Sequence, residues 1–207
     1  MSKADYVYSV LLEEIRTARL PGGTALRAAA IAERLGVSVT PVREALRRLE
    51  QDRLISYEPH HGATVADLTG EALEEFYGVR AVLEGYAARR AATRRTPADL
   101  ERLRALHESM RADLAAGRLE ALGGRSEQLH LALADIGGPA FLGRQIRAVR
   151  DTVPVRPGDS LWLDPALAAD LLEAHERLLA ALEAGDGAAA ERVMVEHVEQ
   201  GGAHRTG

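Results

Sequence analysis

Residues 35–50, LGVSVTPVREALRRLE, constrain the chain more than any other segment. Gly36-Val37-Ser38 reads as a tight turn. The helix after it is apolar on one face, through Val42, Ala45, Leu46 and Leu49, and basic on the other, through Arg43 and Arg47. A short helix over Arg27–Leu35 precedes the turn, so the spacing predicts two helices joined at an angle, a helix-turn-helix. Such a unit points polar groups in the first turn of its second helix at base edges and phosphates. Ser38 and Thr40 supply hydroxyls there, with Thr40 and Pro41 as N-cap and first-turn proline. The unpaired amides of that helix end also attract anions. Arg43 and Arg47, one turn apart, reach guanine edges or the backbone, and Arg48 and Arg53 are placed for further backbone contacts. The same pattern also suits a solvated basic helix in any small domain.

The flanking segments complete a small fold. An amphipathic helix from Ala4 to Arg19 buries Val7, Val10, Leu11 and Ile15 and is broken by Leu20-Pro21-Gly22-Gly23. Beyond Asp52, residues 54–57 and 63–65 are β-prone, with Pro59-His60-His61-Gly62 between them as a hairpin tip. The tip histidines and Gly62 are positioned to enter a minor groove. Three helices plus a β-hairpin over residues 1–68 predict a winged helix-turn-helix. Residues 69–207 are helical in pattern, over about 71–93, 97–116, 120–136, 139–151, 165–184 and 187–200, with Thr152–Leu161 as a loop. The predicted fold is mainly α, with an antiparallel α-helical bundle after the winged head.

Composition narrows the function. With no cysteine among 207 residues, disulfides, thiolate zinc sites and cysteine nucleophiles are excluded. No apolar run approaches the ~20 residues of a membrane helix, and MSKADYVYSV is not a signal peptide, so a cytoplasmic protein is expected. The net charge of −5 is unevenly spread. Residues 1–66 carry nine basic and eight acidic side chains, whereas the rest carries 17 against 23. A near-neutral head on an acidic body permits a local basic surface for nucleic acid.

In the body, His130, His175 and His197 each interrupt an apolar helical stripe on a different helix. A lone histidine on such a stripe is usually a satisfied core residue. Neutral imidazoles converging inside a bundle also suit Zn or Ni. His107 lies near an apolar stripe too, so periodicity leaves open which three converge. Arg80 is surrounded by Phe76, Tyr77, Leu83 and Ala87, with Glu84 one turn on. It is either half of an i, i+4 ion pair or a clamp for a carboxylate ligand.

Residues 8–66, with LPGGTALRAAAIAERLGVSVTPVREALRRLE and RLISYEPHHGATV, resemble the winged helix of the GntR family of bacterial repressors. Two positions depart from the pattern. Val39 stands where relatives usually have Arg, and Arg53 where Gly is usual. Residues 71–201 resemble the FCD ligand-binding domain of the FadR-type branch, through Arg80-x3-Glu84, Leu129-His130 followed by Gly-Gly-Pro, and the pair His175 and His197. In metal-binding members a D-x3-H pair and two later histidines hold a divalent cation beside a cavity for small organic acids. The resemblance implies His130, His175 and His197 as metal ligands, with Arg80 and Ser126 lining the effector cavity. Ser126 occupies the usual Asp position, so the carboxylate does not carry over. Glu127 substitutes for it only by turning inward. Gly138 stands where Asn before proline is common.

The function these readings imply is a homodimeric, ligand-responsive regulator, a repressor by family habit, with no membrane partner. It would bind a pseudo-palindromic double-stranded DNA operator and sense a small organic or sugar acid, with a Zn- or Ni-class ion in the body. Two alternatives stay open. One is a metal-dependent enzyme using the three histidines, although nothing resembles H-E-x-x-H. The other is a DNA-binding protein whose body has no effector.

Overall fold

Ser2 and Asp5 start the first helix with a reciprocal cap: the Ser2 hydroxyl accepts from the Asp5 amide at 3.0 Å and the Asp5 carboxylate accepts from the Ser2 amide at 3.0 Å. This computed structural model describes residues 2–17, 19–58, 62–66, 70–152 and 160–206. The wing-tip histidines His60 and His61, the head–body junction at 67–69 and most of the Thr152–Leu161 loop lie outside the described residues. Two compact units make up the chain: Met1–Leu68 belongs to the first, and Thr69–Arg150 with Gly158–Gly207 to the second.

The first unit runs α1 (Lys3–Arg16), β1 (Ala25–Leu26), α2 (Ala28–Leu35), α3 (Val39–Gln51), β2 (Ile55–Glu58) and β3 (Gly62–Val65). Val7, Leu11 and Ile15 from α1 meet Val42, Ala45, Leu46 and Leu49 from α3 and Leu54, Ile55, Ala63 and Val65 from the sheet in one buried cluster. The hairpin gains a third strand: β1 pairs antiparallel with β3, Ala25 opposite Thr64, giving the order β1-β3-β2. Two-residue strands carry no alternation to detect, so β1 left no trace in the sequence pattern.

One assignment is corrected in the turn. Gly36, at φ 64°, closes α2 in the left-handed region, with its amide on Glu33 O and the Val37 amide on Ala32 O. The chain re-enters helix at Val39, so Ser38 and not Thr40 is the N-cap of α3. Pro41 then falls at the third helical position, where its missing N–H loses nothing because the first four amides have no intrahelical partner. Val39, in the place of the usual family Arg, packs partly against the head core.

Past α3 the chain turns through Arg53 at φ 59°, the one non-glycine residue with positive φ among the described residues. The Arg53 amide bonds Glu50 O and the Leu54 amide bonds Leu49 O, both at 2.9 Å, a Schellman closure. The family's usual Gly at this position suits that conformation.

The second unit holds α4 (Glu71–Arg94), α5 (Pro97–Ala115), α6 (Glu120–Gly137), α7 (Leu142–Asp151), a short 3₁₀ turn at Leu161–Leu163, α8 (Pro165–Ala184) and α9 (Gly187–Thr206). Helix starts follow their caps: Thr96 with Asp99 for α5, Asp164 before Pro165 for α8. The long α4 is the central element, packed mainly on α9 and α6. Glycine makes both approaches close: a Cβ at Gly137 would sit 2.4 Å from Ala87 O, and one at Gly202 would sit 2.8 Å from Tyr77. That second contact explains why α9 does not end at Gln200 before the Gly-Gly pair but continues to Thr206. The seventh helix begins at Leu142 rather than at Pro139. Among the described residues no helix is long and apolar enough to cross a membrane.

Candidate functional site

His130 on α6, His175 on α8 and His197 on α9 converge in the interior of the bundle. Each is buried, and their ligand nitrogens all lie within 4.8 Å of one another. The His130 and His175 Nε2 atoms each stand 3.2 Å from His197 Nε2. Nitrogens about 2.0–2.1 Å from a shared tetrahedral ion stand roughly 3.3 Å apart, so these spacings suit a cation. The protonation chemistry agrees. Burial drives all three imidazoles toward the neutral form. It lowers the His175 pKa well below its ordinary value and, with the neighbouring His130, that of His197 to about 3. Burial also outweighs the adjacent Glu84 in lowering that of His130. A proton on His197 Nε2 would satisfy one of its two facing nitrogens at a time, whereas a cation would engage all three. The donor set fits a divalent transition metal.

The support beneath this set is uneven. Glu84 of α4, fully buried, holds His130 Nδ1 at 2.5 Å through Oε2. With neutral imidazole and ionised carboxylate, Nδ1–H is the donor, and the Nε2 lone pair faces the cluster, as a carboxylate–histidine pair does behind a metal. Among the described residues the Nδ1 atoms of His175 and His197 have no hydrogen-bond partner. Glu84 also accepts from Arg80 Nε at 2.9 Å and from Arg150 Nη1 at 2.8 and 2.9 Å. Burial pushes the Glu84 carboxyl up, but Arg150, His130 and Arg80 together hold it well below the usual carboxylate range.

Of the two roles the sequence left open for Arg80, the structure shows the i, i+4 pair with Glu84, and the guanidinium also lies 5.5 and 5.2 Å from the Phe76 and Tyr77 ring centres. Arg150 was missed. It sits in RQIRAVRD, a basic run that reads as solvated, yet it follows the buried Ile146 by one turn and so shares the inward face of α7. That i, i+4 relation was the available signal.

The fourth histidine is separate. His107 Nε2 lies 2.9 Å from Glu176, and its ring centre 6.3 Å from that of His175. Ser126 is buried one turn before His130 on α6. Glu127 is exposed, which removes it as a stand-in for the absent Asp. Trp162 packs with Met110, Leu122 and Leu167, its ring centre 5.8 Å from that of His175.

In the head, Ser38, Thr40, Arg43 and Arg47 are all exposed on one end and face of α3. The Ser38 hydroxyl makes no cap bond. Arg43 and Arg47, with Arg27, Tyr57 and Gly62, line a surface depression of about 620 Å³ between α3 and the sheet. Arg27 and Tyr57 were not foreseen, because their place beside α3 depends on β1 joining the sheet. Arg48 is turned the other way. Its guanidinium pairs with Asp5 at 2.8 Å and lies 4.3 Å from the Tyr8 ring centre, so it braces α3 to α1.

Residues 3–65 match the family of bacterial regulatory proteins of the gntR type, and residues 75–200 match the FCD domain. The chain belongs to the GntR family. Among its relatives in this family, a probable D-xylose utilization operon transcriptional repressor of Paenarthrobacter nicotinovorans is 32% identical over 198 residues, spanning 94% of this chain and 85% of that protein. The HTH-type transcriptional regulator McbR of Escherichia coli K12 is 30% identical over 195 residues, spanning 92% of this chain and 86% of McbR. The solved structure of E. coli McbR/YncC superposes with a TM-score of 0.77 at 29% identity, covering 99% of this chain and 97% of that one. The GntR-family assignment makes the chain a DNA-binding transcriptional regulator with an FCD effector domain, and the relatives named are regulators, not enzymes.

Proposed function

We propose that the protein is a homodimeric repressor that releases its operator when a small organic or sugar acid enters the FCD domain beside a divalent cation. The observation that carries this reading is the charge balance around Glu84. Two guanidinium groups, Arg80 and Arg150, converge on a single carboxylate next to three neutral imidazoles. The set is cationic before any metal is added, and an anion is the ligand that balances it.

His130, His175 and His197 would hold the cation, with Zn or Ni the class that suits neutral nitrogen donors. When bound it supplies a Lewis-acidic contact for a ligand oxygen. The chain's own residues do the rest. Glu84 keeps the proton of His130 on Nδ1, and Arg80 and Arg150 orient the carboxylate. Ser126, in the place of the usual Asp, leaves the ligand set neutral. Ser38, Thr40, Arg43 and Arg47 would meet the major groove, with Gly62 and His61 on the wing side. Two-fold symmetry of the dimer calls for a pseudo-palindromic operator.

Fluorescence anisotropy on the protein's own upstream DNA tests this, run as purified, after chelation, and with a panel of small carboxylates. Sequence-selective binding that a carboxylate weakens is expected. Operator binding indifferent to chelation and to every carboxylate would remove the effector and metal parts of the reading, leaving the DNA reader.

A further inference from the structure

His130, His175 and His197 are buried, so a cation that reaches them needs a way in. Two sides of the cluster differ in charge. On the α4 and α7 side stand the Arg80 and Arg150 guanidinium groups, both paired with Glu84. Like charge opposes the approach of a cation there and favours an anion.

The α5 and α8 side carries the opposite chemistry. His107 of α5 is 4% exposed and stands outside the three-histidine set. Its Nε2 lies 2.9 Å from Glu176 of α8, whose side chain is 50% exposed, and its ring centre lies 6.3 Å from that of His175. Leu103, His107 and Met110 share the buried face of α5. Glu176 follows His175 by one residue and so turns about 100° away from it, toward solvent. A surface carboxylate, an imidazole beneath it and then a candidate ligand histidine form a line of donors from solvent to the cluster.

His107 also carries an unused donor atom. Burial lowers its pKa against the pull of Glu176, with Arg111 and Glu108 acting in opposite senses nearby. The Nε2–H of the neutral ring then donates to Glu176, and the buried Nδ1 has no hydrogen-bond partner among the described residues. Such an atom costs stability, so packing alone does not account for an imidazole here. A cation on Nε2 would shift the ring proton to Nδ1 and leave the imidazole neutral. Donors about 2.1 Å from one ion and at right angles stand roughly 3.0 Å apart, close to the spacing of the Glu176–His107 pair.

We infer that Glu176 and His107 form an outer loading pair that takes a divalent transition cation from solvent and passes it to His175. The inference rests on the cation of the proposed function and assigns its route. The pair lies outside the final ligand set, so it governs the rates of loading and release and not the affinity.

Trp162 reports on the inner site, because it is the chain's single tryptophan and its ring centre lies 5.8 Å from that of His175. Stopped-flow fluorescence of the full, metal-free chain mixed with Ni²⁺ alone follows loading through quenching of Trp162. Mixing the loaded protein with excess chelator follows release. His107→Phe keeps a ring in place and removes both nitrogens, and Glu176→Gln keeps the shape and removes the charge. Each should slow loading and release by about 10-fold, with the dissociation constant from chelator competition unchanged. Glu101→Gln, an exposed position on the same helix, should leave both rates as they are. Variants that load and release at wild-type rates would overturn the route and leave the metal site standing. Faster release with weaker affinity in His107→Phe would overturn it too, by making His107 a support of the final site. A wild type that binds no Ni²⁺ by calorimetry would overturn both the route and the metal reading.

Discussion

Glu84 sets the tautomer of His130: the 2.5 Å contact between Oε2 and Nδ1 fixes the proton on the outer nitrogen and leaves Nε2 facing His197. Among the described residues this is the one imidazole of the three with such support, since His175 and His197 have no partner there for their Nδ1 atoms. Replacing Glu84 by Gln should therefore weaken metal binding by roughly 10- to 100-fold without removing a ligand. Zinc titration calorimetry on wild type and Glu84→Gln reads this directly, with thermal unfolding of the metal-free proteins as the control for folding. Equal affinities would mean that the carboxylate does not tune the site.

Acid should destabilise the chelated protein well before ordinary carboxylates titrate. The His197 pKa is depressed by burial to about 3 in the folded chain, so between its ordinary value of 6.5 and about 3 the unfolded chain binds the extra proton. Stability then falls as pH is lowered through that window, by roughly 1 kcal/mol per pH unit for each such group. His175 and His130 shift in the same direction, and Glu84, held low, adds its loss below 4.5. Urea midpoints at pH 7.5, 6.0 and 5.0 check the slope. A flat profile would mean that the imidazoles are hydrated.

Much of this was legible in the sequence because it is local. The body helices, their caps and the inward position of His130, His175 and His197 all follow from periodicity and from single capping residues. What was not legible depends on contacts between segments far apart in the chain. Arg150 reads as part of a solvated basic run until α7 packs against α4. The extension of α9 through Gly201-Gly202 needs Tyr77 beside it. Thr40 looks a better N-cap than Ser38 until Val39 is seen to pack on the head core.

Arg43 and Arg48 should separate sharply although they are five residues apart on one helix. Arg43→Ala removes an exposed cation from the side of α3 proposed to face the major groove. It should weaken operator binding, with a cost of roughly 1–3 kcal/mol if the contact is to a base edge. Carboxylate and metal affinity should not change. Arg48→Ala breaks the Asp5 pair and the contact with Tyr8, so it should lower the thermal stability of the head and leave the salt dependence of DNA binding nearly unchanged. Anisotropy across several salt concentrations, paired with calorimetry, distinguishes the two.

Arg53→Gly should stabilise the protein. The arginine holds φ 59°, a conformation that costs a side-chain-bearing residue roughly 1 kcal/mol and glycine almost nothing. The Schellman bonds use only backbone atoms and survive the change. A higher urea midpoint is the expected result, and a lower one would show that the Arg53 side chain contributes more than its backbone costs.

Two glycines of α6 should respond oppositely to alanine. At Gly124 an added methyl meets nothing within 4 Å, so Gly124→Ala should gain up to about 1 kcal/mol of helix propensity. At Gly137 the methyl would press to 2.4 Å from the Ala87 carbonyl, a backbone atom that cannot swing away. Gly137→Ala should cost about 1–3 kcal/mol as α4 and α6 are forced apart. Chemical denaturation of both variants measures the signs.

The fourth helix carries Glu84 on its buried side and Val82, two residues earlier, on its exposed side. A rigid helix cannot shift one without displacing the other, so in the proposed regulator a ligand that moves Glu84 also moves the outer face of α4. Linkage is reciprocal: if the proposed homodimer meets on that face, a ligand that loosens the pair must itself bind more tightly to the separated chain. Its apparent affinity would then depend on how much protein is present, weakening as the protein becomes more abundant.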